Sequence, residues 1–248
     1  MSALHSEEKS RMDNERSTSA LLALGQICLN HGDGERAFSL FEAAARSGSA
    51  DALNMLGRAY ERGWGVRRNP VVAATYFQAA AEKGNGWALF NLADLCFSGE
   101  VGEKNPVMAY WLYVEAARKG VAKALNMLGL LHEDGLSGQL APEEAATFFH
   151  AAAMAGDCWG FVNTGRLHLT RNEIKEAVFA FRKALSLGFC DVFLAVKGLL
   201  ESLPLHPELR PVLLESERLL HASSCQAQPV SGKRKSEADH TVSSDIKL

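Results

Sequence analysis

Apolar residues recur along this chain at the spacings of one helix face, and the whole set recurs several times. Five glycines, Gly48, Gly84, Gly120, Gly156 and Gly188, each close the same pattern. Four residues before each glycine stands an alanine: Ala44, Ala80, Ala116, Ala152 and Ala184. Seven before it stands an aromatic: Phe41, Phe77, Tyr113, Phe149 and Phe181. Eleven before it stands another alanine: Ala37, Ala73, Ala109, Ala145 and Ala177. Offsets of three, four and seven put these side chains on one face of a helix. Alanine lets neighbouring helices approach, the ring fills the space between them, and glycine ends the helix in a left-handed conformation.

A second helix is predicted upstream of each stripe. Ala50-Asp-Ala-Leu-Asn-Met-Leu-Gly57, Gly86-Trp-Ala-Leu-Phe-Asn-Leu-Ala93, Ala122-Lys-Ala-Leu-Asn-Met-Leu-Gly129 and Cys158-Trp-Gly-Phe-Val-Asn-Thr-Gly165 start 36 residues apart. A fifth copy ends Ala20-Leu-Leu-Ala-Leu-Gly25. The segment Leu56-Gly57-Arg-Ala-Tyr60-Glu-Arg-Gly63-Trp-Gly65-Val66-Arg-Arg-Asn69-Pro70 closely resembles the Sel-one-like repeat, a relative of the tetratricopeptide repeat. That resemblance implies an all-α, right-handed α-solenoid of five helix-turn-helix repeats with C-terminal capping helices. It also implies a non-enzymatic protein-interaction module.

The expected boundaries are 19–49, 50–85, 86–121, 122–157 and 158–189 for the repeats and 190–221 for the caps. The first and fifth repeats lack four residues between their helices, as terminal units often depart from the pattern. Lys197 stands where the next repeat would have its glycine, which predicts a lost helix contact there. Residues 1–18 and 222–248 lack periodicity and are expected to be disordered tails.

Composition narrows the function. Hydrophobic residues are 47% of the 248 and charged ones 22%, enough apolar material for a core. The net charge of -3 gives no basic excess for a nucleic-acid partner. No apolar run is long enough to insert in a membrane, so a soluble, cytoplasmic, monomeric protein is expected. Cys28, Cys96, Cys158, Cys190 and Cys225 are scattered, odd in number and unpaired in spacing, and reduced thiols are expected.

No hydrolase, phosphate-loop, dinucleotide or zinc-protease motif is present, so no catalytic residue, cofactor or metal is expected. Cys28, Tyr60, Cys96, His132 and His168 share one repeat position, three after the Leu-Gly glycine. A metal would need them near 2.0–2.3 Å, whereas repeats stack about 10 Å apart, so packing is the reading for this column. Two other classes remain as alternatives: a hydrolase of cell-wall-like substrates, proposed for cysteine-rich relatives, and a regulatory subunit masking a partner's active site. The basic run at 233–235 reads as part of a solubilising tail.

The candidate binding face is formed by first-helix positions expected to be exposed on a concave groove. The residues are Asn54, Arg58, Trp87, Phe90, Lys123, Asn126, Trp159, Val162 and Arg166. They vary between repeats while the packing columns do not. Trp87 and Phe90 share one helix face, and Trp159 and Val162 repeat the arrangement two units later. With Lys123 between them, the expected ligand is a peptide or helix with two bulky apolar residues flanking an acidic one. The tryptophans are open to two readings, exposed anchors or packing between repeats.

Overall fold

The structure is a computed structural model that describes residues 2–135, 142–202 and 206–223. Among them are twelve α-helices and no strand. The chain divides into two compact units, Met1–Ala124 and Leu125–Leu248.

In the first unit α1 (Ser2–Asn30) and α2 (Gly34–Ala45) form one helix hairpin, α3 (Ala50–Arg62) and α4 (Pro70–Glu82) the next, and α5 (Gly86–Ser98) and α6 (Pro106–Arg118) the third. α2 packs on α3 and α4 on α5, so each hairpin buries its face against its neighbour. Helix α7 (Ala122–Glu133) carries the division between the units. The second unit continues with α8 (Pro142–Met154), the hairpin of α9 (Cys158–Thr170) and α10 (Ile174–Leu187), then α11 (Cys190–Glu201), a 3-10 turn (Pro207–Leu209) and α12 (Arg210–Ala222).

The stripe is the core. All ten alanines and all five rings of the Ala–aromatic–Ala columns are at most 1% exposed. The Leu-Gly glycines are explained by those rings. A Cβ on Gly25 would lie 2.4 Å from Phe41, on Gly57 2.5 Å from Phe77, on Gly129 2.6 Å from Phe149, and on Gly165 2.7 Å from Phe181. In these four hairpins the missing side chain makes room for the ring. The third hairpin has Ala93 there instead, opposite Tyr113, whose hydroxyl donates to Asp94 Oδ1 at 2.5 Å. Burial, followed by the Asp94 carboxylate, pushes the Tyr113 phenol well above its ordinary pKa.

One backbone bond closes the hairpins whatever their loop length. The carbonyls of Cys28, Tyr60, Cys96 and His168 accept the N–H of Asp33, Asn69, Asn105 and Glu173, at 2.9, 2.8, 2.9 and 2.9 Å. The longer loops bulge out between these fixed points. Asn69 and Asn105 also cap the following helix, accepting from Val72 N at 3.2 Å and Met108 N at 2.9 Å, with proline in the first turn after each.

Several expectations are corrected. Helix α1 starts at Ser2, so residues 2–18 are helical rather than a disordered tail. That stretch lacks an apolar period, but it also lacks glycine and proline and interleaves acids with bases, which a helix tolerates. Gly48, Gly84, Gly120 and Gly156 have positive φ, but Gly188 has φ -85° and is extended. Space explains it: a Cβ there would lie 2.6 Å from Val192. The loss of glycine at Lys197 does not separate the caps. α11 and α12 pack together around buried Val192, Val196, Leu200 and Val212, and Lys197 Nζ lies 3.5 Å from Glu201 and 3.8 Å from Glu217. Cys190 is disulfide-bonded, whereas Cys28, Cys96 and Cys158 lie outside any disulfide. Of the expected tail 222–248, Ala222 ends α12 and Ser223 caps it, and 224–248, with the basic run 233–235, lies outside the described residues.

Candidate functional site

The nine candidate residues divide by burial, and the division departs from the expected open face. Trp87 is 51% exposed, and Trp159, Lys123, Arg58 and Arg166 are half-buried. Phe90 (2%), Val162 (7%), Asn54 (8%) and Asn126 (5%) are buried. A varying residue type at this position suggests the surface, but its side chains pack towards the adjoining helices. Phe90 lies 5.5 Å from the Tyr113 ring and 5.8 Å, edge to face, from Trp87. Lys123 Nζ sits 5.2 Å above the Phe90 ring, a cation–π distance. Val162 belongs to the core cluster of α9 to α12, against which Trp159 also packs. Phe90 and Val162 therefore support the tryptophans from beneath.

Asparagine is what the structure adds to the site. Asn91 Nδ2 on α5 donates to Asn54 Oδ1 on α3 at 2.9 Å. Within the second unit, Asn163 Nδ2 on α9 donates to Asn126 Oδ1 on α7 at 2.8 Å. Each pair joins the first helices of two successive repeats, and each lies one helical turn beyond a tryptophan, Trp87 or Trp159. Asn91 and Asn163 were missed because they stand one position after Asn54 and Asn126 in the repeat. The detectable signal was the offset itself, 37 residues rather than 36. Asn54 Nδ2 and Asn91 Oδ1 have no other hydrogen-bond partner among the described residues. In the second unit Arg166 Nη2 also reaches Asn163 Oδ1, at 3.5 Å.

The arginines are held in place. Arg166 Nη2 lies 2.9 and 2.7 Å from the two Glu133 oxygens, and its guanidinium is 6.0 Å from the Phe149 ring. Arg58 lies over Trp64 at 5.1 Å. Elsewhere in the first unit Arg68 bonds Glu100 and donates from Nε to the Glu61 carbonyl at 2.9 Å. Burial raises the Glu61 carboxyl above its usual range, partly offset by Arg62 and Arg58.

The histidine column has local partners. His132 Nδ1 lies 3.0 Å from Glu144 Oε2 and its ring stacks on Phe148, and His168 Nδ1 lies 2.6 Å from Glu173 Oε2. Among the described residues no three His, Cys, Asp or Glu side chains are grouped to hold a metal.

Paired antiparallel helices in tandem, joined through small-residue seams, define a helical-repeat protein of the tetratricopeptide-like class. The chain belongs to the Sel1 repeat family, which matches it over 18–49, 50–85, 88–121 and 122–157, together more than half its length. The fifth hairpin, α9 and α10, falls outside those matches but keeps the same packing columns. A Sel1 repeat protein from Oxalobacter formigenes superposes with a TM-score of 0.67 at 20% identity, covering 85% of this chain and 88% of that one. A protective antigen of uropathogenic Escherichia coli with an SLR fold gives 0.61 at 23% identity, covering 86% of this chain and 47% of that one. The immunity protein Pa5087 from Pseudomonas aeruginosa gives 0.57 at 18% identity, covering 78% and 76%. At these identities the likeness concerns the fold. No curated protein matches the sequence. Sel1 repeat proteins are typically interaction modules. Among the described residues no helix is long and apolar enough to cross a membrane.

Proposed function

We propose that the chain is an adaptor or scaffold that holds an extended segment of a partner protein against its first helices. The observation that carries this reading is the tryptophan–asparagine module, present once in each unit. An asparagine amide offers a donor and an acceptor side by side, the complement of a peptide group. The unused Asn54 Nδ2 and Asn91 Oδ1 are such a pair. A backbone held there leaves its side chains for the neighbours: an apolar one for Trp87, an acidic one for Lys123. In the second unit Trp159, one helical turn from the Asn126–Asn163 pair, is the equivalent anchor. Large, exposed, well-supported aromatics are favourable anchors. Arg58 and Arg166 border these modules, with Arg166 positioning Asn163.

Affinity capture from native lysate, with mass-spectrometric identification, supplies the partner. Its binding is then compared between the parent chain and Trp87→Ala, Trp159→Ala and the double variant, with helix content checked by circular dichroism. Loss of more than about 1 kcal/mol per tryptophan is expected for anchor residues. Full-strength binding by a folded double variant overturns the proposal.

A further inference from the structure

The second helix of the fifth hairpin carries a surface that the first-helix reading does not use. On α10, Lys175, Phe179, Arg182 and Lys183 are exposed and lie along one side of the helix at offsets of four, three and one. Phe179 is 61% exposed, an unusual place for a bare phenyl ring. Lys183 Nζ lies 5.9 Å from its centroid, so a cation edges the ring. The four line a shallow groove with Val178 and Ser186. No carboxylate among the described residues forms an ion pair with Lys175, Arg182 or Lys183; Glu176 is exposed on the same helix but does not line the groove.

The repeats supply an internal control. The position of Lys175 holds Glu35, Val71, Val107 and Glu143 in the other four copies. The position of Arg182 holds Glu42, Gln78, Val114 and His150, and that of Lys183 holds Ala43, Ala79, Glu115 and Ala151. In no other copy is a lysine or arginine found at any of the three. The packing columns of the same helix, Ala177, Phe181 and Ala184, keep the repeat pattern and are fully buried. Charge has therefore accumulated on the outer side of one helix while its inner side is unchanged.

We propose that this face of α10 is a docking site for an acidic peptide segment carrying one apolar residue. The carboxylates pair with Lys175, Arg182 and Lys183, and the apolar side chain covers Phe179. Three unpaired cations around one exposed ring match that ligand in both charge and polarity. A nucleic acid or an anionic membrane would need a broader basic surface, and the chain as a whole is acidic at -3.

The test uses the full chain and the labelled peptide Glu-Asp-Glu-Leu-Glu-Asp-Glu, followed by fluorescence anisotropy at low salt. Comparison probes replace its acids by serine, or its leucine by alanine. Expected are binding of the acidic peptide, weakening with added salt, and a loss of at least about tenfold in the Lys175→Glu/Arg182→Glu/Lys183→Glu variant. Phe179→Ala should lower affinity for the leucine peptide and leave that for the alanine peptide unchanged. Val107→Ala, which trims an exposed apolar residue of α6, should bind the acidic peptide as the parent does, which separates α10 from exposed apolar surface in general. No binding by the parent chain overturns the inference, and so does equal binding by the charge-reversed variant. Tighter binding of phosphatidylserine vesicles or single-stranded DNA than of the peptide assigns the face to a different occupant and likewise overturns it.

Discussion

At the scale of single residues, two kinds of position decide the account. The first is the buried stripe. Ala116 is fully buried opposite other helices, so Ala116→Leu forces extra methylenes into a filled seam. A loss of about 1–3 kcal/mol is expected, read from the urea midpoint; an unchanged midpoint would mean that the seam has room. The second is charge under cover. Burial holds the Glu61 carboxyl above its usual range despite Arg62 and Arg58, with Asp94 and Glu100 adding to the rise. The folded chain thus keeps that proton longer than the unfolded chain. Between the ordinary carboxylate range and the raised folded value, Glu61 costs stability as pH rises. Glu61→Gln should therefore be more stable than the parent at neutral pH, with the gain shrinking as pH falls below the folded value. Paired denaturation curves across that range check this, and a gain that grows on acidification would reverse the sign. The stripe was legible because burial imposes one residue type on every copy. The site was legible only in part. Phe90 and Val162 vary like surface residues, yet they are core, because each pairs with a different neighbour. Variation between repeats signals either exposure or a changed partner, and sequence does not separate the two.

At the scale of elements, the hairpin is set by its caps and by one backbone bond. Asn69 accepts from Val72 N while its own N–H reaches the Tyr60 carbonyl, so one residue both starts α4 and ties it to α3. Asn69→Ala keeps the backbone bond and removes the cap, for an expected cost of about 1 kcal/mol in thermal or urea unfolding. No measurable loss would show that the first turn of α4 is satisfied without its cap. The same bond in four hairpins explains how repeats with and without the inserted loop share one packing pattern. It also accounts for the mixed column of Cys28, Tyr60, Cys96 and His168, whose shared role belongs to the main chain. Residue type there points to packing, and a carbonyl's role leaves no trace in it. The early start of α1 and the extended Gly188 were illegible for related reasons. One is a helix without an apolar face to announce it. The other is a glycine kept for space rather than for its φ.

At the scale of the whole molecule, near-identical hairpins have been given different surfaces. Two alternate first helices carry a tryptophan with an asparagine four residues on, and among the described residues α10 gathers base around an exposed ring. A scaffold whose repeats all pack alike can vary its outer positions independently, because stability comes from the shared seams. The central claim is that the asparagine pairs hold a partner's backbone. It is tested most directly by calorimetric titration of the captured partner segment into the parent chain and the Asn54→Ala/Asn126→Ala variant, with matched circular dichroism. The account predicts an affinity at least about tenfold lower, about 1.4 kcal/mol or more, with helix content unchanged. Undiminished affinity in the folded variant would contradict it.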